Sequence, residues 1–211
     1  MKSIFGCIIL VLSCAACAQE QDSIASLQDT NEIVYEAVYD NQVRQIVPDP
    51  DYTLIDLVRT NGYSKSNLTI FIDKSVYLLQ VRHKDSVLIT YPCVLGFNPT
   101  DDKHQEGDGC TPEGTFKIRS RYAHGSWSYF IWVDYPNDES WRRFKARKAD
   151  GTLDASATIG GEIGIHGVPE GMDDLIDNGT NWTLGCISLK TAHITDLYKS
   201  IGSSTMIEIV K

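Results

Sequence analysis

The chain has 211 residues, of which 42% are hydrophobic and 22% are charged, and its formal net charge is −9 at pH 7. This composition is typical of a globular protein, and the length suffices for one domain with a sizeable core plus a short extension. The acidic balance and the lack of a run of basic residues argue against a nucleic-acid partner.

The first residues follow the order of a signal peptide. A positively charged start precedes an apolar segment at 4–12 that is too short to span a bilayer, and small residues around Cys17 form a cleavage site. We therefore predict a signal peptide at 1–18 and export to the periplasm or cell envelope. Two imperfect lipobox patterns end at Cys14 and Cys17, and they leave open whether a lipid anchor holds the exported protein to a membrane.

Residues 19–65 are predicted to form an N-terminal extension that is partly helical and docks on the domain. The segment is polar up to about residue 47, and a Pro-Asp-Pro sequence at 48–50 interrupts any helix there. A short helix is predicted at 51–60, where an Asn-Gly pair ends it.

From Leu68 onward the hydrophobic residues recur with a period of two, which is typical of β-strands. Residues 66–211 are therefore predicted to form a mainly β domain with short helices, and the pattern alone is equally compatible with a sandwich or a barrel. The predicted strands are 68–72, 76–82, 87–95, 115–121, 128–134 and 206–210, with one helix at 192–201.

The segment 96–114 is a long loop that contains four glycines and two prolines. Loops of this length in a compact domain usually have a function, so we expect this one to form a wall of an active cleft, with a plain solvent loop as the alternative. The aromatic strand at 128–134 is interpreted as core packing rather than as a ligand platform.

Six cysteines are present, and three of them, Cys93, Cys110 and Cys186, fall in the predicted domain. Cys93 and Cys110 either pair in the oxidising export compartment or remain buried thiols. No cysteine or histidine spacing is typical of a metal site, so no zinc and no cofactor are expected.

A histidine and a cysteine near the ends of two predicted strands point to acyl-transfer chemistry. The short apolar alternation 163–165 ends on His166, a polar loop follows at 168–182, and Cys186 begins a second alternation. An imidazole beside a thiol can take its proton and return it to a leaving amine. The alternative is a buried small residue and a satisfied core histidine.

Two motifs set this pair in a family context. The first is His166-Gly167 followed, after the loop, by Thr183-Leu184-Gly185-Cys186-Ile187. The second is Gly-Phe-Asn-Pro at 96–99 followed by Glu-Gly-Asp-Gly-Cys-Thr-Pro-Glu-Gly-Thr-Phe at 106–116. Together they resemble the L,D-transpeptidase catalytic domain (YkuD) family, and specifically its YafK-like murein L,D-transpeptidase and endopeptidase branch, over roughly residues 66–211.

The resemblance implies a cysteine enzyme that acts on peptidoglycan stem peptides. Cys186 would attack the carbonyl of an L-centred residue, His166 would act as general base and then acid, and the carbonyl of Gly167 would orient the imidazole. Backbone N–H groups of Gly185 and Cys186 would hold the oxyanion, and Thr183 would support the loop or a substrate carbonyl.

The chain departs from the family pattern at two positions. Many members carry His or Arg where this chain has Leu184, and Arg where it has Ser188. Binding of the substrate carboxylate is therefore unassigned, and Arg142 or Arg143 in the charged segment 138–147 is one candidate for it.

The acceptor decides the reaction that the resemblance implies. An amine gives transpeptidation, whereas water gives carboxypeptidase or endopeptidase activity, which in this branch includes release of a murein-attached lipoprotein. Two other classes remain as alternatives: a catalytically degenerate wall-binding envelope protein and a thiol-redox protein.

Overall fold

The structure is a computed structural model that describes residues 53–211. The predicted signal peptide at 1–18 and most of the predicted extension at 19–65 lie outside the described residues. Five elements of the described part are helical, and four are α-helices: α1 (Leu54–Thr60), α2 (Asp138–Ala149), α3 (Asp174–Asp177) and α4 (Thr191–Ser200), with one turn of 3₁₀ helix at Lys65–Asn67. Within residues 53–211 no helix has the length and apolar character that a membrane crossing needs.

Eight strands form one sheet, in the order β3-β2-β1-β8-β4-β5-β6-β7. Two neighbouring pairs are parallel, β1 with β8 and β6 with β7, and the other pairs are antiparallel. The strands are β1 (Leu68–Asp73), β2 (Leu78–His83), β3 (Ser86–Pro92), β4 (Gly114–His124), β5 (Ser128–Val133), β6 (Gly164–Gly167), β7 (Ile187–Leu189) and β8 (Met206–Val210).

The long strand β4 belongs to both halves of the sheet. Its residues 114–117 pair with β8, and its residues 118–124 pair with β5, with a register shift between Ile118 and Ser120. Such irregularities bend and twist a strand, which lets one strand serve two differently oriented halves. Beyond β3, Val94 exchanges two backbone hydrogen bonds with Ser188 of β7, at 3.0 and 2.8 Å, and so links the far ends of the sheet.

The core follows the alternation of the strands. In β1 the residues Leu68, Ile70 and Ile72 are buried and their neighbours are half-buried, as expected of a sheet with one face toward the core. Helix α4 covers this core through Ile194 and Leu197. The predicted mainly β fold with short helices is confirmed. The strand predicted at 76–82 begins later, at Leu78, because residues before it form a turn in which Tyr77 has a positive φ.

Helix α1 is held to the rest of the domain by a partly buried polar cluster that we call the Asp196 anchor. The Asp196 carboxylate of α4 accepts hydrogen bonds from the backbone N–H groups of Leu54 and Ile55, at 2.8 and 3.1 Å, and from the Tyr91 hydroxyl at 2.8 Å. Burial, together with this carboxylate, raises the pKa of Tyr91. Leu54 and Val58 complete the contact by packing into the core.

Cys93 and Cys110 are free, buried thiols in the structure, so the second of the two alternatives holds for them. Burial raises the pKa of Cys93 beyond the range of any physiological titration and the pKa of Cys110 to about 11. Both thiols are therefore protonated at neutral pH.

Candidate active site

The parallel pair β6 and β7 places the predicted histidine and cysteine on one face of the sheet. In its register Ile165 lies opposite Ile187 and His166 lies opposite Ser188. Side chains alternate along a strand, so the two isoleucines face the core while His166 faces the other side. Cys186 directly precedes Ile187 and so shares the face of His166. Both residues line the same cavity.

His166 is held as a neutral imidazole. It is only 2% exposed, its ring stacks on Trp127 at 4.4 Å, and its Nδ1 lies 2.8 Å from the carbonyl oxygen of Gly167. Burial lowers the pKa of His166 to about 4, against the opposing effect of the Gly167 bond. Since a carbonyl can only accept, Nδ1 carries the proton and Nε2 is left free to act as a base. The predicted orienting role of Gly167 requires this contact between its carbonyl and Nδ1.

Cys186 is a protonated thiol in the resting site. Its Sγ donates to the carbonyl of Glu162 at 3.4 Å, and burial raises the pKa of the thiol to about 11, while a bond from the backbone N–H of Gly164 opposes that shift. Glu162 has a φ of 58°, a left-handed conformation that is costly for a residue with a side chain. A thiol with so high a pKa needs a base to become a nucleophile.

The turn before Cys186 is organised by Thr183. Its hydroxyl donates to the carbonyl of Cys186 at 2.7 Å and accepts from the N–H of Gly185 at 3.2 Å. The N–H of Gly185 is therefore engaged, and this geometry does not support the oxyanion role predicted for it. The N–H of Cys186 makes no hydrogen bond to any described residue, which leaves it available to a ligand.

The loop 96–113 packs against the same turn, in a place where only glycine fits. Gly185 has a φ of 136°, and a Cβ there would lie 2.6 Å from the carbonyl oxygen of Cys110. A Cβ at Gly96 would lie 2.9 Å from the Cα of Gly185. The glycines thus allow the loop backbone to support the turn that carries the thiol.

The loop is held in shape by a buried ion pair. The Lys103 ammonium donates to Asp108 Oδ1 at 2.8 Å, and the same carboxylate accepts backbone N–H bonds from His104, Gln105 and Cys110. Burial opposes ionisation of Asp108, but these bonds outweigh it and lower the pKa of the carboxyl. Lys103 also lines the cavity, so the loop forms one of its walls, as predicted.

The cavity beside the thiol has a volume of about 1190 Å³ and an aromatic wall. The strand predicted to be core packing divides between two faces: Ile131 and Val133 enter the core, whereas Phe130 and Trp132 line the cavity. The prediction was therefore wrong for Trp132, whereas Phe130 is buried as predicted, at 7% exposure, although its ring also lines the cavity. The aromatic wall consists of Tyr122, Trp127, Phe130, Trp132, Trp141 and Trp182.

Arg142 and Arg143 do not reach this cavity. Both guanidinium groups bond Glu139, at 2.6 and 2.9 Å, and Arg143 also pairs with Asp102 at 3.7 Å. Their predicted role toward a substrate carboxylate is not supported, because both charges are already paired on helix α2. Among residues 53–211, no group of three or more His, Cys, Asp or Glu could hold a metal ion.

The YkuD family model, described as the L,D-transpeptidase catalytic domain, matches residues 67–209. No curated protein sequence matches the chain.

Several solved structures resemble the fold. The helical cell shape determining protein Pgp2 from Campylobacter jejuni aligns with a TM-score of 0.49 and 19% identity over 68% of this chain and 47% of that chain. Bd1075 from Bdellovibrio bacteriovorus aligns with a TM-score of 0.47 and 21% identity over 71% of this chain and 49% of that chain. An L,D-transpeptidase from Enterococcus faecium aligns with a TM-score of 0.45 and 14% identity over 68% of this chain and 50% of that chain. The aligned part thus spans about half the length of these proteins.

Proposed function

The chain belongs to the L,D-transpeptidase catalytic domain family, and from this premise we propose that it is an exported enzyme that uses Cys186 to cleave or transfer acyl groups of peptidoglycan stem peptides. The observation that carries the proposal is the placement of Cys186 and His166 on one face of adjacent parallel strands, both lining one cavity. The intact pair speaks against the alternative of a degenerate wall-binding protein.

The first half-reaction starts from two neutral partners. As the Cys186 sulfur attacks the carbonyl carbon of an L-centred residue, its proton moves to Nε2 of His166 and a sulfur–carbon bond forms. Burial disfavours a preformed thiolate–imidazolium pair, since it lowers the pKa of His166 to about 4 and raises that of Cys186 to about 11. Proton transfer is therefore coupled to attack on bound substrate.

The negative charge that develops on the carbonyl oxygen would meet the free N–H of Cys186. Thr183 contributes indirectly, because its hydroxyl fixes both the carbonyl of Cys186 and the N–H of Gly185. The imidazolium then gives its proton to the departing amine as the carbon–nitrogen bond breaks, which leaves a thioester on Cys186.

The second half-reaction regenerates the thiol. His166 takes a proton from the acceptor, the acceptor attacks the thioester, and the sulfur leaves with the proton returned to it. Water as acceptor gives carboxypeptidase or endopeptidase hydrolysis, which includes release of a murein-attached lipoprotein, and an amine gives a new cross-link. The proposal covers these outcomes as one cysteine chemistry, without a cofactor.

The proposal is tested by incubating purified muropeptides with the wild-type chain and with Cys186→Ala, followed by mass spectrometry of the products. We expect shortened or exchanged stem peptides with the wild type and unchanged muropeptides with the variant. Products formed equally by both proteins would remove Cys186 from the mechanism. The same spectra separate the loss of a terminal residue from the joining of two stems.

Location is a separate part of the proposal. The signal-peptide pattern at 1–18 supports export to the periplasm or cell envelope, where peptidoglycan is found, with a lipid anchor at Cys14 or Cys17 as the open alternative. Fractionation and intact mass of the exported protein would show whether cleavage occurs and whether an acyl chain is attached.

A further inference from the structure

The aromatic wall concentrates the chain's largest apolar side chains around one cavity. The chain contains four tryptophans, and all four, Trp127, Trp132, Trp141 and Trp182, line it. Trp127 and Trp182 lie next to His166, with ring centroids 4.4 and 5.5 Å from the imidazole. Trp132 and Trp141 extend the wall onto β5 and α2, so the aromatic surface reaches beyond the residues that the proposed chemistry uses.

The outer part of this wall is open to solvent. Tyr122 and Trp141 are each 41% exposed and Leu184 is 74% exposed, and these three are half of the large hydrophobic residues that are exposed in the described part of the chain. Clustering of exposed apolar side chains around one concave site marks a binding surface rather than a random feature.

None of the charged residues that line the cavity belongs to the aromatic wall. Lys103 is the one lysine or arginine among the described lining residues, and its ammonium is bonded to Asp108 at 2.8 Å and to the carbonyl of Gln105 at 3.1 Å. The lining carboxylates are those of Glu106, which accepts a bond from Thr158, and of Glu162, whose backbone carbonyl accepts from the Cys186 thiol. Tyr122 and Trp141 offer flat, uncharged faces, whereas the guanidinium of Arg119 lies 4.8 Å from the ring centroid of Trp132. The fitting ligand is therefore an uncharged ring with one apolar face.

A pyranose ring has this chemistry. The C–H bonds on one face of the sugar are weakly positive and pack against the negative face of an aromatic ring, while the hydroxyl groups stay in solvent. Stem peptides are attached to amino-sugars in peptidoglycan, so a cavity that continues beyond the reacting peptide next meets such a ring. Its volume of about 1190 Å³ leaves room for both.

We propose that Trp141 and Tyr122, the two exposed members of the aromatic wall, contribute to a glycan subsite that stacks amino-sugar rings of the strand to which the stem peptide is attached. The inference rests on the proposed function for the identity of the sugar. It predicts that the protein recognises a glycan-linked peptide better than the same peptide alone.

Binding is measured on the full chain carrying Cys186→Ala, so that no turnover intervenes. Saturation-transfer NMR is recorded with the peptide-free disaccharide N-acetylglucosaminyl-N-acetylmuramic acid and, separately, with the sugar-free stem tetrapeptide. We expect transfer to the sugar ring protons and a dissociation constant that rises about fivefold or more when Trp141→Ala is added. Trp141→Phe should restore most of the binding, and Met172→Ala, which removes an equally exposed side chain outside the cavity lining, should leave it unchanged.

Two results would overturn the inference. One is transfer to the tetrapeptide with none to the disaccharide, which would assign the aromatic wall to the peptide. The other is disaccharide binding that Trp141→Ala and Tyr122→Ala both leave intact, which would place the sugar elsewhere. Neither result touches the proposed function, which fails separately if the parent chain does not turn over muropeptides.

Discussion

The Asp196 anchor and the pair formed by Cys186 and His166 are both partly buried polar clusters, but their polar groups differ in how many hydrogen bonds they make. The Asp196 carboxylate accepts bonds from two backbone amides and the Tyr91 hydroxyl. The Cys186 thiol donates to the carbonyl of a strained residue at 3.4 Å and accepts a bond from the N–H of Gly164, but the Nε2 atom of His166 has no hydrogen bond to any described residue.

This difference separates a structural cluster from a reactive one. A buried group whose hydrogen-bond capacity is filled stabilises the fold and has nothing left for a ligand. A group that is desolvated and left partly unpaired costs stability and keeps its capacity for substrate. Mutations in the first cluster should therefore change unfolding, and mutations in the second should change turnover.

The largest effect is expected from His166→Ala. Without the base, the thiol of Cys186 stays protonated, and acylation by a stem peptide should slow by about 10²-fold or more. Rapid-quench mass spectrometry of the acylated protein measures the rate. His83→Ala is the matched control. It removes a histidine of β2 that stacks on Tyr63, away from the cavity lining, and should keep the wild-type rate. Equal rates in all three proteins would end the base assignment.

Asp196→Ala should lower the stability of the fold and leave turnover unchanged. It leaves the N–H groups of Leu54 and Ile55 and the hydroxyl of Tyr91 without their acceptor, and we expect the free energy of unfolding to fall by about 2–4 kcal/mol. Urea denaturation followed by circular dichroism measures the change, and activity per folded molecule should be unchanged.

The control for that variant is Asp177→Ala, which removes a surface ion pair with Lys190 and should cost less than about 1 kcal/mol. If Asp196→Ala were no more destabilising than the control, the anchor would not hold α1. If Asp196→Ala abolished the activity of the folded protein, the distinction between a structural cluster and a reactive cluster would be contradicted.

The pH dependence of kcat/KM tests the protonation state of His166. Because its pKa is lowered to about 4, the base remains neutral well below the usual histidine range, and the acid limb of kcat/KM should lie near pH 4. A pH–rate profile with a stem peptide measures it, and a limb centred near pH 6.5 would contradict the buried neutral imidazole.

The same shift carries a stability consequence of defined sign. In the unfolded chain the imidazole has its ordinary pKa of about 6.5 and takes up a proton that the folded state refuses. Stability should therefore fall as the pH drops from about 6.5 to 4, by about 3 kcal/mol at most. His166→Phe should flatten this part of the curve.

The smallest of these effects is expected at Thr183. Thr183→Val keeps the shape of the side chain but removes the two hydrogen bonds that fix the turn before Cys186, and kcat should fall by about tenfold. Thr183→Ser keeps the hydroxyl and should recover most of the rate in steady-state assays. A Thr183→Val enzyme with normal kcat would show that the turn is held by the loop 96–113 alone.

The sequence was sufficient to predict those features for which a residue pattern is compatible with only one kind of structure or one family. Alternation of buried and half-buried residues in β1 predicts its strand, and the motifs around His166 and Cys186 predict the family. Sequence alone did not identify the aromatic wall. In β5, Phe130 and Trp132 alternate with Ile131 and Val133, so both faces of the strand are apolar. Such a strand does not indicate which of its faces packs into the core.

Long-range contacts account for the other features that were missed. Asp196 lies 142 positions from Leu54, and nothing in its local pattern marks it as the acceptor for α1. The engaged N–H of Gly185 depends on the rotamer of Thr183, which a motif does not specify. Glu162 has a left-handed backbone and its carbonyl accepts from the Cys186 thiol, and no local pattern in the sequence marks either feature.

The central claim is that the sulfur of Cys186 carries the acyl group, and trapping of the thioester tests it most directly. The full chain is mixed with a stem tetrapeptide, quenched in acid within the first turnovers, and analysed by intact mass and by peptide mapping. We predict a mass increase equal to the acyl part of the peptide, located on the fragment that contains Cys186 and absent from Cys186→Ala. Turnover without such an adduct, or an adduct that persists in Cys186→Ala, would contradict the account.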